Sequence, residues 1–199
     1  GNEDTIGDGE VQWMTAGSGI MHEEKLPAAE RLLGVQLWLN LPAKDKLAPP
    51  AYHSIKNADI EEIDFAWGKL RLLAGEFEGR KGYMSKYLPL DYYDLHLNPK
   101  ESVAMNTDRE RSVMVFTLLG DAYIGGEPVR EKTAVKLTSG DQVEIKATDE
   151  KAQVLFISSK RLDEPVAWGG PIVMNSKEEL NKAFDDLKKG TFIQKAISY

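Results

Sequence analysis

Residues 11–24 read VQWMTAGSGIMHEE. The stretch opens like a strand, since β-branched and aromatic side chains suit a pleated, half-buried surface. A glycine-rich turn follows, and directly after it stand His22, Glu23 and Glu24. On extended backbone His22 and Glu24 point to one side and Glu23 to the other. Imidazole beside carboxylate is a donor pair suited to Fe(II), Mn(II), Zn(II), Ni(II) or Cu(II). Two or three histidines with one carboxylate would leave coordination positions open for O2 or a substrate. The spacing by itself favours a solvated polar turn, because His-x-Glu is short and common.

Outward from this stretch the chain keeps one rhythm. Turn signals such as GDGE, LPAKDKLAPP, FEGRKG, LLGD, IGGEP and TSGDQ separate short apolar runs. That spacing predicts an all-β sandwich or barrel. In GVQLWLNL, Val35, Leu37, Leu39 and Leu41 share one face, and Gln36, Trp38 and Asn40 the other. KLRLLAG, YYDLHL, SVMVFTLLG, TAVKL, QVEIKA and QVLFISS also read as strands. LPAKDKLAPPAYHS reads as an ordered crossover loop stiffened by adjacent prolines. NSKEELNKAFDDLKKG differs, placing Leu180, Ala183, Phe184 and Leu187 at helical spacing. Ser176 with Glu179 forms a capping-box signature, Lys188 and Lys189 suit the negative end of the helix dipole, and Gly190 suits a C-cap.

Composition bounds the function. The 199 residues are 42% hydrophobic, enough for a sizeable core, and the formal charge is −7. An acidic chain is a poor match for phosphate backbones, so direct nucleic-acid binding is not expected. With no cysteine, disulfides, thiolate metal sites and a Cys nucleophile are excluded. The absence of cysteine fits a reducing compartment, cytoplasmic or, in a eukaryote, nuclear. No apolar run approaches the roughly 18 residues of a membrane span, and the polar, acidic start does not read as a signal peptide.

The other candidate residues carry less. His53, in PPAYHS, reads as a surface loop residue, and His96, opposite Tyr93, Leu95 and Leu97, as a solvated strand position. The chain has three histidines, so it does not complete a three- or four-ligand site by spacing alone. Ser18 lies near His22 but lacks a nucleophile-elbow pattern, and GSG lacks the Lys-Ser/Thr of a phosphate loop. The four tryptophans read as core or pocket lining.

GEVQWMTAGSGIMHEE, GVQLWLNLP and EPVAWGGPIVMNSKEELNKAFDDLKKGTF, in that order, resemble the pirin family. The resemblance implies a bicupin: two double-stranded β-helix (cupin) domains with one C-terminal α-helix. It assigns 1–86 to the remainder of an N-terminal cupin plus linker, 87–160 to the C-terminal cupin, and 161–199 to a C-terminal strand and amphipathic helix packing back on the body. It implies a metal, Fe(II) first among divalent transition metals, held by three His and one Glu. Carried over, His22 and Glu24 are two of these ligands, and Glu24 would also serve as a catalytic base. The other two ligands belong to a His-x-His motif that has no counterpart here. The first cupin is therefore expected to be incomplete, to need a further segment or another chain, and not to form a stable isolated monomer. The implied activity is of the quercetin 2,3-dioxygenase type on a flavonol-like molecule, with Gln36 and Trp38 near the pocket. The alternatives are a redox-sensitive iron-binding transcription cofactor that engages a protein partner, and an inactive fragment without metal.

Overall fold

The computed structural model describes residues 3–197. Strands β1 (Val11–Thr15), β2 (Ala51–Ile55), β3 (Glu61–Phe65), β4 (Gly68–Ala74), β5 (Glu76–Phe77), β6 (Arg80–Lys81), β7 (Leu90–Leu97) and β8 (Ser102–Asn106) come first. They are followed by β9 (Arg111–Leu119), β10 (Ala122–Ile124), β11 (Glu127–Val129), β12 (Thr133–Lys136), β13 (Gln142–Ala147) and β14 (Ala152–Lys160). The chain ends with β15 (Ala167–Gly169), β16 (Ile172–Met174) and helix α1 (Lys177–Lys189). The expected all-β chain with one C-terminal helix is what forms. No helix among the described residues is long and apolar enough to cross a membrane.

Two compact units divide the chain. The first takes the residues up to Val11 together with Ile55–Arg161. It holds a six-stranded antiparallel sheet, β12-β9-β14-β7-β4-β3, and a four-stranded one, β11-β10-β13-β8. Alternation explains the layering. Tyr93, Leu95 and Leu97 of β7, Leu70 and Leu72 of β4, and Val154 and Phe156 of β14 enter one buried cluster. Met105, Val143 and Ile145 of the smaller sheet meet them there. Strand β14, central in the large sheet, is buried along most of its length, as a strand covered on both faces must be. Strands β4 and β7 approach so closely at Gly68 that a Cβ there would lie 1.9 Å from the His96 carbonyl oxygen. Gly68 also has φ +142°, so glycine is required on both counts.

The second unit takes Gln12–Ser54 and the chain from Leu162 onward. Most of the β1–β2 ribbon, the β15–β16 hairpin and α1 lie here. The helix matches its sequence signature. The Ser176 side chain accepts from the Glu179 amide, the Glu179 carboxylate accepts from the Ser176 amide, and Gly190 caps the far end at φ 72°. Replacing Ser176 by Ala is expected to cost about 1 kcal/mol of helix stability. Hydrogen exchange over the first turn of α1 should accelerate about fivefold; unchanged protection would show that the box does not hold the helix.

A separate tie organises the turn before β2. The Ala43 amide donates to Glu164 Oε2 at 2.7 Å, Asn175 Nδ2 reaches the same oxygen at 3.4 Å, and the Lys46 ammonium donates to Asn40 Oδ1. Burial pushes the Lys46 ammonium down, against the charges of Glu164 and Glu179.

Two local expectations are corrected. GVQLWLNL does not form a strand: residues 34–42 carry no regular structure, and Val35 and Trp38 are exposed. An alternating pattern becomes a strand only when a neighbour takes its backbone hydrogen bonds, and among the described residues no strand pairs with it. His53 lies in β2 rather than in a loop.

Candidate functional site

The turn that presents His22 is built on backbone. The Ser18 amide donates to the Ala48 carbonyl at 2.8 Å and the Gly19 amide to the Ala16 carbonyl at 2.9 Å. Gly17, at φ +51°, brings the chain so close to Ala48 that a Cβ would sit 2.1 Å from its carbonyl oxygen. The turn therefore needs glycine at this position. The Ser18 hydroxyl is buried without a hydrogen-bond partner among the described residues, so it is not set up as a nucleophile with His22.

Beyond the turn the chain runs without regular structure. His22 Nε2 and Glu24 Oε1 stand 3.8 Å apart, with side chains 44% and 51% exposed. The two atoms are close enough for one metal at bonds of about 2.1 Å, so they fit a metal in kind. They do not fit in number. Among the described residues no group of three or more His, Asp or Glu side chains is placed to hold a metal. Two exposed donors do not make a resident metal site by themselves. Gln36 and Trp38 are also exposed.

The first unit holds a different constellation, which sequence spacing did not reveal. Asp94 is buried, with its side chain 5% exposed, on the face of β7 opposite the core. Its carboxylate accepts from Gln153 Nε2 at 2.9 Å and from Arg71 Nη1 at 3.3 Å, and lies 3.0 Å from His96 Nε2. Burial pushes the Asp94 carboxyl up, but the hydrogen bonds from His96 and Gln153 and the Arg71 charge outweigh it and hold the group below the ordinary aspartate range. Arg71 also donates to Glu62 at 3.0 Å, to the Gly9 carbonyl at 2.8 Å and to Asn57 Oδ1 at 2.9 Å. His96 is therefore anchored by a buried carboxylate rather than merely solvated. The network takes its members from β4, β7 and β14, so no single stretch announces it. Beside it opens a cleft of about 530 Å³, with Phe65 and Leu119 on its apolar side and Lys69, His96, Asn98 and Gln153 among its polar groups. This cleft belongs to the first unit, whereas His22 and Glu24 belong to the second.

Comparison with known proteins places the chain. Residues 92–193 match the family model of the pirin C-terminal cupin domain, and residues 1–39 match that of pirin. A Pseudomonas aeruginosa protein, provisionally named a quercetin 2,3-dioxygenase, is 38% identical over 197 residues, spanning 95% of this chain and 68% of that protein. Pirin of Homo sapiens is 32% identical over 194 residues, covering 94% of this chain and 67% of the relative. The crystal structure of quercetin 2,3-dioxygenase from Acinetobacter baumannii superposes with a TM-score of 0.80 at 28% identity, over 94% of this chain and 68% of that one. The two antiparallel sheets of the first unit are accordingly a cupin fold, and the chain belongs to the pirin family.

Proposed function

We propose that the protein is a metal-binding cupin with an activity of the quercetin 2,3-dioxygenase type, acting on a flavonol-like molecule. The observation that carries this reading is the likeness, over nearly the whole chain, to proteins bearing that name. The donor pair supports it, because His22 and Glu24 stand within reach of one cation. In this reading they supply two ligands to a divalent transition metal, Fe(II) in the first place. In this reading Glu24 also takes a proton from a bound hydroxyl. The polar, cysteine-free chain suits a cytoplasmic protein.

His22→Ala is expected to weaken Fe(II) binding by more than the roughly 10–100-fold that loss of an outer-shell partner costs. Metal content by mass spectrometry and aerobic quercetin consumption are the readouts. Equal metal and equal turnover in His22→Ala and wild type would remove the reading.

A second reading, a protein-interaction module, is favoured by one observation. Met21, Leu26, Leu32, Leu33, Val35 and Trp38 are exposed apolar side chains within a short, irregular stretch, and clustered exposed apolar groups mark contact surfaces. Metal binding without quercetin turnover, together with binding to a partner that Trp38→Lys abolishes, would support this reading over the first.

A further inference from the structure

We infer that the cleft beside Asp94 and His96 is a second small-molecule site, in which His96 accepts a proton-donating hydroxyl from a neutral ligand with an apolar ring. The inference does not rest on the dioxygenase reading, because its residues lie in the first unit and none of them is His22 or Glu24.

The tautomer follows from what surrounds Asp94. The Arg71 guanidinium already compensates the buried carboxylate charge, at 3.3 Å. Gln153 Nε2 occupies the other carboxylate oxygen at 2.9 Å. What remains at Asp94 Oδ2 is acceptor capacity, and His96 Nε2 lies 3.0 Å from it. The stable arrangement is a neutral imidazole that donates through Nε2–H, which leaves Nδ1 as an acceptor. A carboxylate that fixes the tautomer and orientation of a histidine leaves the opposite nitrogen free to act as a base. The His96 ring lines the cleft and its side chain is 43% exposed, so it is open to a ligand.

The chemistry of the cleft selects the ligand class. An acceptor nitrogen favours a hydroxyl and disfavours carboxylates and phosphates, which have no proton to offer at neutral pH. Lys69 does not reverse that preference, because its ammonium is held 2.6 Å from Glu62. Lys151 and Asp64 both line the cleft, so their opposite charges offset one another there. Phe65 and Leu119 offer apolar surface for a ring, and Phe65 is itself fixed by stacking on Trp67 at 5.0 Å between centroids. Lys69, His96 and Gln153 are cross-strand partners on β4, β7 and β14, so one row of the sheet carries the polar side of the cleft.

The test uses the full chain labelled with 15N-histidine. It has three histidines, and His96→Gln identifies the His96 signals. At pH 7.5 the two-bond proton–nitrogen spectrum should show His96 neutral and protonated at Nε2. An imidazolium, or a proton on Nδ1, overturns the inference. Added 4-methylphenol should then shift His96 Nδ1 saturably, and binding should vanish in His96→Gln, a half-exposed position where folding is retained. Asp94→Asn, which frees the ring to change tautomer, should bind about five- to tenfold more weakly. 4-Methylbenzoate, the same ring without the donor, should give no saturable shift at the same concentrations. No saturable shift with 4-methylphenol, binding retained in His96→Gln, or equal binding of 4-methylbenzoate would each overturn the inference and leave the network with a structural role.

Discussion

Phe156→Ala is expected to destabilise the protein by about 3–5 kcal/mol, the range for emptying a large aromatic site in a packed core. Phe156 is 1% exposed at the middle of β14, the strand that joins β9 to β7. Its ring stacks on Tyr93 at 5.6 Å between centroids and 16° between planes. Tyr93 in turn meets Phe77 edge-on at 5.5 Å, and Phe77 meets Phe65 at 6.0 Å. The Tyr93 hydroxyl donates to the Glu76 carbonyl at 2.6 Å, which pins that ring and limits how far it can collapse into a cavity. The cost should therefore fall in the upper part of the range, and Phe156→Leu should cost clearly less. Urea unfolding followed by tryptophan fluorescence reads the difference. A loss below about 1 kcal/mol would mean that the two sheets do not close around this ring.

Asp94→Ala is expected to cost about 3 kcal/mol at pH 7, because it strips a nearly buried guanidinium of one partner. Arg71 is only 11% exposed. It keeps Glu62 at 3.0 Å after the substitution, which holds the loss to the lower end of what breaking a buried pair costs. The pH dependence has a definite sign. The folded-state Asp94 carboxyl lies below its ordinary value of 3.8. Its contribution is therefore fully present above that value and is lost as pH falls through the lower, folded-state one. The gap between wild type and Asp94→Ala should stay constant from neutral pH down to about 4 and close only in stronger acid. A gap that already closes near neutral pH would show that the effect does not come from the Asp94 carboxylate.

Much of the architecture is legible in the order of residues along the chain. The strands β4, β7, β9, β12, β13 and β14 follow from alternation. Helix α1 follows from Leu180, Ala183, Phe184 and Leu187 with its two caps, because a helix is specified by residues within a few positions of each other. Alternation fails at Val35–Leu41, where apolar spacing promises a strand but no pairing strand is available among the described residues. The pattern records what a segment can bury, whereas the hydrogen-bonding neighbour lies elsewhere in the chain.

The candidate sites divide in the same way. By itself, the sequence determined the chemical character of His22 and Glu24, their separation by one residue, the exclusion of every thiolate site, and the pirin resemblance. These are properties of residue type and of neighbours along the chain. Only the tertiary structure decided that Asp94 is buried and anchors His96. Its partners Arg71 and Gln153 lie 23 and 59 residues away, and the sheet order β4-β7-β14 brings them to one carboxylate. A strand pattern marks Asp94 as facing away from the core but cannot say what covers that face. Long-range pairing decides that, and with it whether a polar residue meets water or three hydrogen-bond donors.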